Sequence, residues 1–145
     1  MPRSAWILLS CGLWLVVLGL YFMLIRPAFL PEDVHFFGEP LARIQAAIPE
    51  LEHWLKLVFV VLGGFATGAG VSSTYLAVVV LPHRPRGASW VIAVVGLSTV
   101  ALMSAVNFEL HSDFRWVLLI PTVLWGAGLV AYVLEGTRLK PRRYY

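Results

Sequence analysis

The chain has 145 residues, of which 59% are hydrophobic and only 13% charged. A water-soluble domain of that length has too little interior to hide so many apolar side chains, so the composition excludes an ordinary soluble domain and makes lipid the natural solvent. The net charge of +3 does not point to nucleic acid, because the charges divide along the chain in the way membrane topology divides them.

Four continuous apolar runs, residues 5–25, 55–81, 90–106 and 116–134, are separated by short polar segments. A helix needs roughly 20 residues to cross about 30 Å of hydrocarbon, and each run is near that length or above it. The runs are continuous rather than alternating, so helices satisfy the backbone in lipid where strands would not. The fold class expected is all-α: one polytopic membrane domain over residues 1–145, a four-transmembrane-helix up-down-up-down bundle.

The first run holds the single cysteine, Cys11. One cysteine forms no internal disulfide and excludes thiol oxidoreductase chemistry, which requires a pair. Leu8-Leu9-Ser10-Cys11-Gly12 superficially matches a lipoprotein cleavage box. The apolar run before it is too short for a signal core and continues well past it, and no small-x-small cleavage site follows Ile25, so the first span is expected to be retained.

Residues 26–53 form the one long connection. Pro27 and Pro31 break the first helix, and Gly38 and Pro40 break the chain again. Leu41, Ile44 and Ile48 then recur at helical spacing, which predicts a short amphipathic helix over residues 41–48 lying on the outer membrane surface. Pro49 suits a first helical turn, and Glu50 and Glu52 favour its N-terminal dipole, so the second helix is expected to begin near Pro49 and project beyond the bilayer.

Small residues crowd the second span: Gly63, Gly64, Gly68, Gly70, Ser72 and Ser73. Gly64, Gly68 and Ser72 fall on one stripe at four-residue spacing, a groove that lets another backbone approach closely. Packing within the bundle is the first expectation, with a cost of about 1–3 kcal/mol for overpacking by Gly68→Leu; contact with a second copy or another membrane protein is the alternative. Phosphate cradling is implausible, since the cluster lies inside a span and lacks the following Lys.

Pro82-His83-Arg84-Pro85-Arg86-Gly87 reads as a tight turn whose prolines stop both flanking helices. In the third span Ser104 and Asn107 are the expected sources of a polar interhelical bond. Ser112 or Asp113 is placed to cap the last helix, where Pro121 sits near the start, with Gly126 and Gly128 beyond it. Trp6, Trp54, Trp90 and Trp116 fall at the predicted span boundaries, whereas Trp14 and Trp125 are expected inside the bundle.

Seven basic residues, Arg3, Arg84, Arg86, Arg138, Lys140, Arg142 and Arg143, lie with Glu135 at the N-terminus, second connection and C-terminus, a net +6. Seven acids (Glu32, Asp33, Glu39, Glu50, Glu52, Glu109 and Asp113) lie with four bases at the first and third connections, a net −3. Basic short loops stay in the cytoplasm, so both termini are expected inside and the long connection outside.

His35, His53, Glu109, His111 and Asp113 all fall on the expected outer side. Imidazole with carboxylate is a zinc ligand set, but no recognised metal spacing is present, and acidic outer loops arise from topology alone. The expectation is a solvated rim: no metal, no cofactor and no catalytic residue. No histidine lies within a span to face a haem. The spans also lack a deep ionisable residue of the kind that conduction normally requires.

The run Arg26-Pro27-Ala28-Phe29-Leu30-Pro31-Glu32-Asp33, with Pro49-Glu50-Leu51-Glu52-His53-Trp54-Leu55 leading into Gly63-Gly64-Phe65, resembles small four-span bacterial membrane proteins of uncharacterised function. The resemblance covers most of the chain and implies a bacterial inner membrane, with no activity or site residue to carry over. Two functions remain open at this point. One is a non-catalytic membrane protein acting through helix contacts, as an accessory subunit or homo-oligomer; its partners are the lipid bilayer and another membrane chain. The other is an outward-facing lipid- or small-molecule-binding protein or enzyme using His35, His53, Glu109 and His111.

Overall fold

A computed structural model of the chain describes residues 1–138, with side chains through Thr137. Lys140, Arg142 and Arg143 of the basic set therefore lie outside the described residues. The regular elements of the described residues are all helices: α1 (Arg3–Leu24), α2 (Pro31–Phe37), α3 (Leu41–Ala47), α4 (Leu51–Tyr75), α5 (Ala88–Gly96), α6 (Leu102–Glu109) and α7 (Arg115–Arg138). A π segment, Leu76–Val80, and a 3-10 turn, Leu81–His83, prolong α4; a second π segment, Leu97–Ala101, joins α5 to α6. Four helical stretches are long and apolar enough to cross a membrane: Arg3–Leu24, Leu51–His83, Ala88–Glu109 and Arg115–Thr137.

The apolar runs became these helices at the expected places, with modest changes at their ends. α4 begins at Leu51 rather than Pro49, with Glu50 in the cap position. Glu52 and Lys56 pair at 3.1 Å one turn apart, as their order predicts. Pro121 does not interrupt α7: it is fully buried in a helix continuous from Arg115 to Arg138.

Two features were not anticipated. α2 forms where only breakers were read. Pro31 sits at its first turn, the Asp33 carboxylate accepts the Leu30 N–H at 2.8 Å, and Gly38 ends it with φ 68°. The π segments interrupt two spans without any proline inside them. Around the second, side chains donate to backbone carbonyls: Trp125 Nε1 to Ile92 O at 2.8 Å, Ser98 Oγ to Val94 O at 2.8 Å and Thr99 Oγ1 to Val95 O at 2.6 Å. In hydrocarbon such polar side chains have no water to bond, and the backbone is the partner at hand.

α1 is central. It packs against α4 on one side and α7 on the other, and α7 in turn holds α5 and α6. The spans therefore do not pack in chain order. α4 rests chiefly on α1 rather than on α5, although only a short turn separates α4 from α5. A short loop fixes where two helix ends meet; it does not make their lengths pack.

The ends of the molecule are tied by polar clasps. At the end shared by the chain's start, the second connection and α7, Glu135 accepts from Ser4 N–H at 3.2 Å and Ser4 Oγ at 2.6 Å, and pairs with Arg84 at 2.9 Å. Arg84 also donates to Tyr132 O at 2.8 Å and lies over the Tyr132 ring. At the opposite end Glu32 accepts from Ser112 Oγ at 3.0 Å and Asp113 N–H at 2.8 Å. Ser112 Oγ meanwhile accepts the Phe114 N–H at 3.1 Å, a bond that closes the turn before α7 and does not reach the helix's own first-turn N–H groups. Nearby, Arg26 is held over the Phe59 ring, 3.5 Å from its centre, and reaches Asp33 at 3.4 Å. The clasped members of the two charge sets, Arg84 and Glu135 in one and Arg26, Glu32 and Asp33 in the other, thus occupy opposite ends of the described structure.

Candidate functional site

α4 has two glycine faces, and they do different work. Gly63, Thr67, Gly70 and Thr74 meet α1 at Gly12 and Gly19. A Cβ added at Gly70 would stand 2.6 Å from Val16 N and 2.7 Å from Gly12 O; one at Gly12 would stand 2.7 Å from Thr74 Oγ1 and 2.9 Å from Thr74 N. Gly19 faces Thr67 and the Gly63 carbonyl even more closely. Each helix carries its two glycines seven residues apart, so in an antiparallel pair both contacts occur in register. Backbone meets backbone here, and only glycine permits it.

Gly64, Gly68 and Ser72 lie on the other face. All three are exposed, and nothing stands within 4 Å of a Cβ built at Gly64 or Gly68. The expected packing of this stripe inside the bundle is therefore corrected: a four-residue spacing marks a smooth face but does not say which way it turns. With Val61, Phe65 and Ala69 the two glycines line a shallow hollow on the outer surface.

Ser104 makes the interhelical bond expected of it. Its hydroxyl is buried, donates to Leu118 O at 2.8 Å and lies 2.7 Å from Thr122 Oγ1, which itself donates to Val100 O at 2.8 Å. Asn107 does not join in; its amide turns back to Met103 O of its own helix at 2.9 Å. Cys11 is buried with its thiol 3.4 Å from Pro121 O, between α1 and α7.

His35, His53, Glu109, His111 and Asp113 are all exposed. His111 Nδ1 lies 3.0 Å from the Glu109 backbone carbonyl, and Asp113 gives only its backbone N–H to Glu32. Among the described residues no three His, Cys, Asp or Glu side chains gather in a metal-binding group. α3 forms as expected, yet buries no residue against the bundle, and Gln45 bonds Glu52 at 3.1 Å rather than covering a site.

A partly open groove has no counterpart in the sequence pattern. A groove of about 220 Å³ runs between the end of α4 and α5, floored by Leu8, Cys11 and Leu15 of α1 and by Trp125 of α7, with Pro85, Arg86 and Gly87 at its mouth. It arises because α4 and α5 part after their shared turn, which no periodicity in either helix announces.

The chain matches no family model, no curated protein and no solved structure.

Proposed function

We propose that the chain is a non-catalytic protein of a bacterial inner membrane that acts through helix contacts, as an accessory subunit or a homo-oligomer. The observation that carries this reading is the outward stripe of Gly64, Gly68 and Ser72, left open while the other face of α4 is already engaged by α1. Lipid offers helices no hydrophobic reason to associate, so close approach across small residues is the available source of binding energy. A smooth strip bordered by Val61 and Phe65 admits a helix from another chain as Gly63 and Gly70 admit α1. The basic set belongs on the cytoplasmic side in this reading, and the acidic connections outside.

The test is purification of the full chain in mild detergent, with its mass measured and co-purifying membrane proteins identified, beside a Gly68→Leu variant. The expected result is an oligomer or a retained partner that Gly68→Leu releases. A monomer with nothing retained, or a Gly68→Leu protein that associates like the parent, overturns the proposal.

A further inference from the structure

The groove between α4 and α5 has walls, a floor and a charged mouth. Its walls contain both π segments, through Leu76 and Val80 on one side and Thr99 and Val100 on the other. An extra residue in a helical turn widens the helix locally, and such turns recur where a helix surface is shaped for a ligand. The interior is apolar. Most of its few polar groups are already used: the Trp125 indole on Ile92 O, the Thr99 hydroxyl on Val95 O and the Cys11 thiol at Pro121 O. Ser73 is the remaining hydroxyl among the described lining residues. Such a surface suits hydrocarbon and offers little to a sugar or a nucleotide.

Size narrows the occupant. A helix is about 10 Å across with its side chains, whereas a groove of about 220 Å³ takes only something slender, such as a stretch of a single acyl chain. Charge narrows it again. The two arginines of the turn differ: Arg84 is engaged by Glu135 and Tyr132, whereas Arg86 is exposed at the groove mouth and has no ion-pair partner among the described residues. An acyl chain leaving the bilayer for the groove gains no hydrophobic free energy, because lipid already solvates it. Selective occupancy therefore has to come from the head, and the mouth offers a positive charge at the depth where headgroups lie.

We propose that this groove holds one acyl chain of an anionic phospholipid, whose acidic headgroup is received by Arg86. The site is separate from the docking face proposed on α4 and does not depend on it. The full chain is reconstituted in phosphatidylcholine vesicles carrying a trace of phosphatidylglycerol with a photoreactive acyl chain, and the crosslinks are mapped by mass spectrometry. Labelling is expected to concentrate on Val91 and Val95 in the groove over the outward-facing Leu97 of the same span, and to be competed by unlabelled phosphatidylglycerol. Arg86→Glu should lower it by about fivefold or more, the scale set by one basic residue beside an anionic surface, with Arg86→Lys retaining most of it. Val95→Trp should block it, with Leu97→Trp as the matched outward control. Since Arg86 is in an exposed turn, its variants read the headgroup term even if a tryptophan in the groove impairs folding. Equal labelling of Val91 and Leu97, indifference to Arg86→Glu, or equal competition by phosphatidylcholine overturns the proposal.

Discussion

Gly63 and Gly64 are neighbours in sequence with opposite surroundings. A Cβ at Gly63 would stand 2.5 Å from Gly19 O, and one at Gly64 would meet nothing within 4 Å. Gly70→Val should therefore cost about 1–3 kcal/mol by overpacking the α1–α4 contact. Gly68→Leu should leave the stability of the isolated chain within about 0.5 kcal/mol, as an outward change does. Thermal unfolding of both variants in detergent, at dilution, makes the comparison. An equal loss in both would mean that the wrong face has been assigned to α1. The sequence held the deciding signal, but on two helices at once: Gly12 and Gly19 repeat the seven-residue interval of Gly63 and Gly70. A stripe read on one helix alone cannot show its own orientation. Ser104 was legible because a hydroxyl in a span must find a partner; Asn107 was not, because its own helix offered Met103 O. Ser104→Ala should cost about 0.6 kcal/mol and no more than about 1.7, the average and the maximum for single polar bonds between membrane helices. Combined with Thr122→Val the cost should depart from the simple sum, since the two hydroxyls lie 2.7 Å apart and are coupled.

At the scale of elements, what sequence reading found depended on how local the cause was. The spans follow from hydropathy. α2 is legible in principle, with Pro31 before Glu32 and Asp33 and Gly38 after; a proline that breaks one helix also suits the first turn of the next. The π segments have no local signature, and one of the bonds beside the second comes from Trp125, a residue of another helix. α3 is legible from its spacing, and its lack of buried residues suits a helix lying at the membrane interface. Spin labels at Ile48 and Arg43 check this in vesicles: the first should be reached by oxygen from the lipid side, and the second by a polar relaxant from water. Labels equally open to water would remove the membrane contact. The clasp at the opposite end makes a second prediction. Glu135 closes the first turn of α1 through Ser4 and holds Arg84, so Glu135→Ala should speed amide exchange in residues 3–6 and in the 84–87 turn together. Faster exchange in one segment alone would show that the clasp does not couple them.

For the whole molecule, the order of spans along the chain is not their order in space, because α1 sits between α4 and α7. The α1–α4 half of that arrangement rests on backbone contacts made by glycines far apart in sequence, and hydropathy carries no information about them. Which segments share an end was legible, because charge sorts by side and the clasps join like with like: Ser4, Arg84 and Glu135 at one end, Glu32 and Ser112 at the other. A topology measurement therefore separates two claims. Reporters active on only one side of the membrane, fused after Gly38 and after Tyr145, must report opposite sides if the clasped ends are correct, whichever way the protein inserts. Which side is which depends on charge alone. Moving one elementary charge against the membrane potential costs about 2.3 kcal/mol per 100 mV, and the basic set carries a net +6 against −3 for the other end. The expected outcome is a cytoplasmic signal at Tyr145 and an external one at Gly38. An exchanged pair of signals would overturn the orientation and leave the fold intact; the same side at both positions would overturn the fold itself.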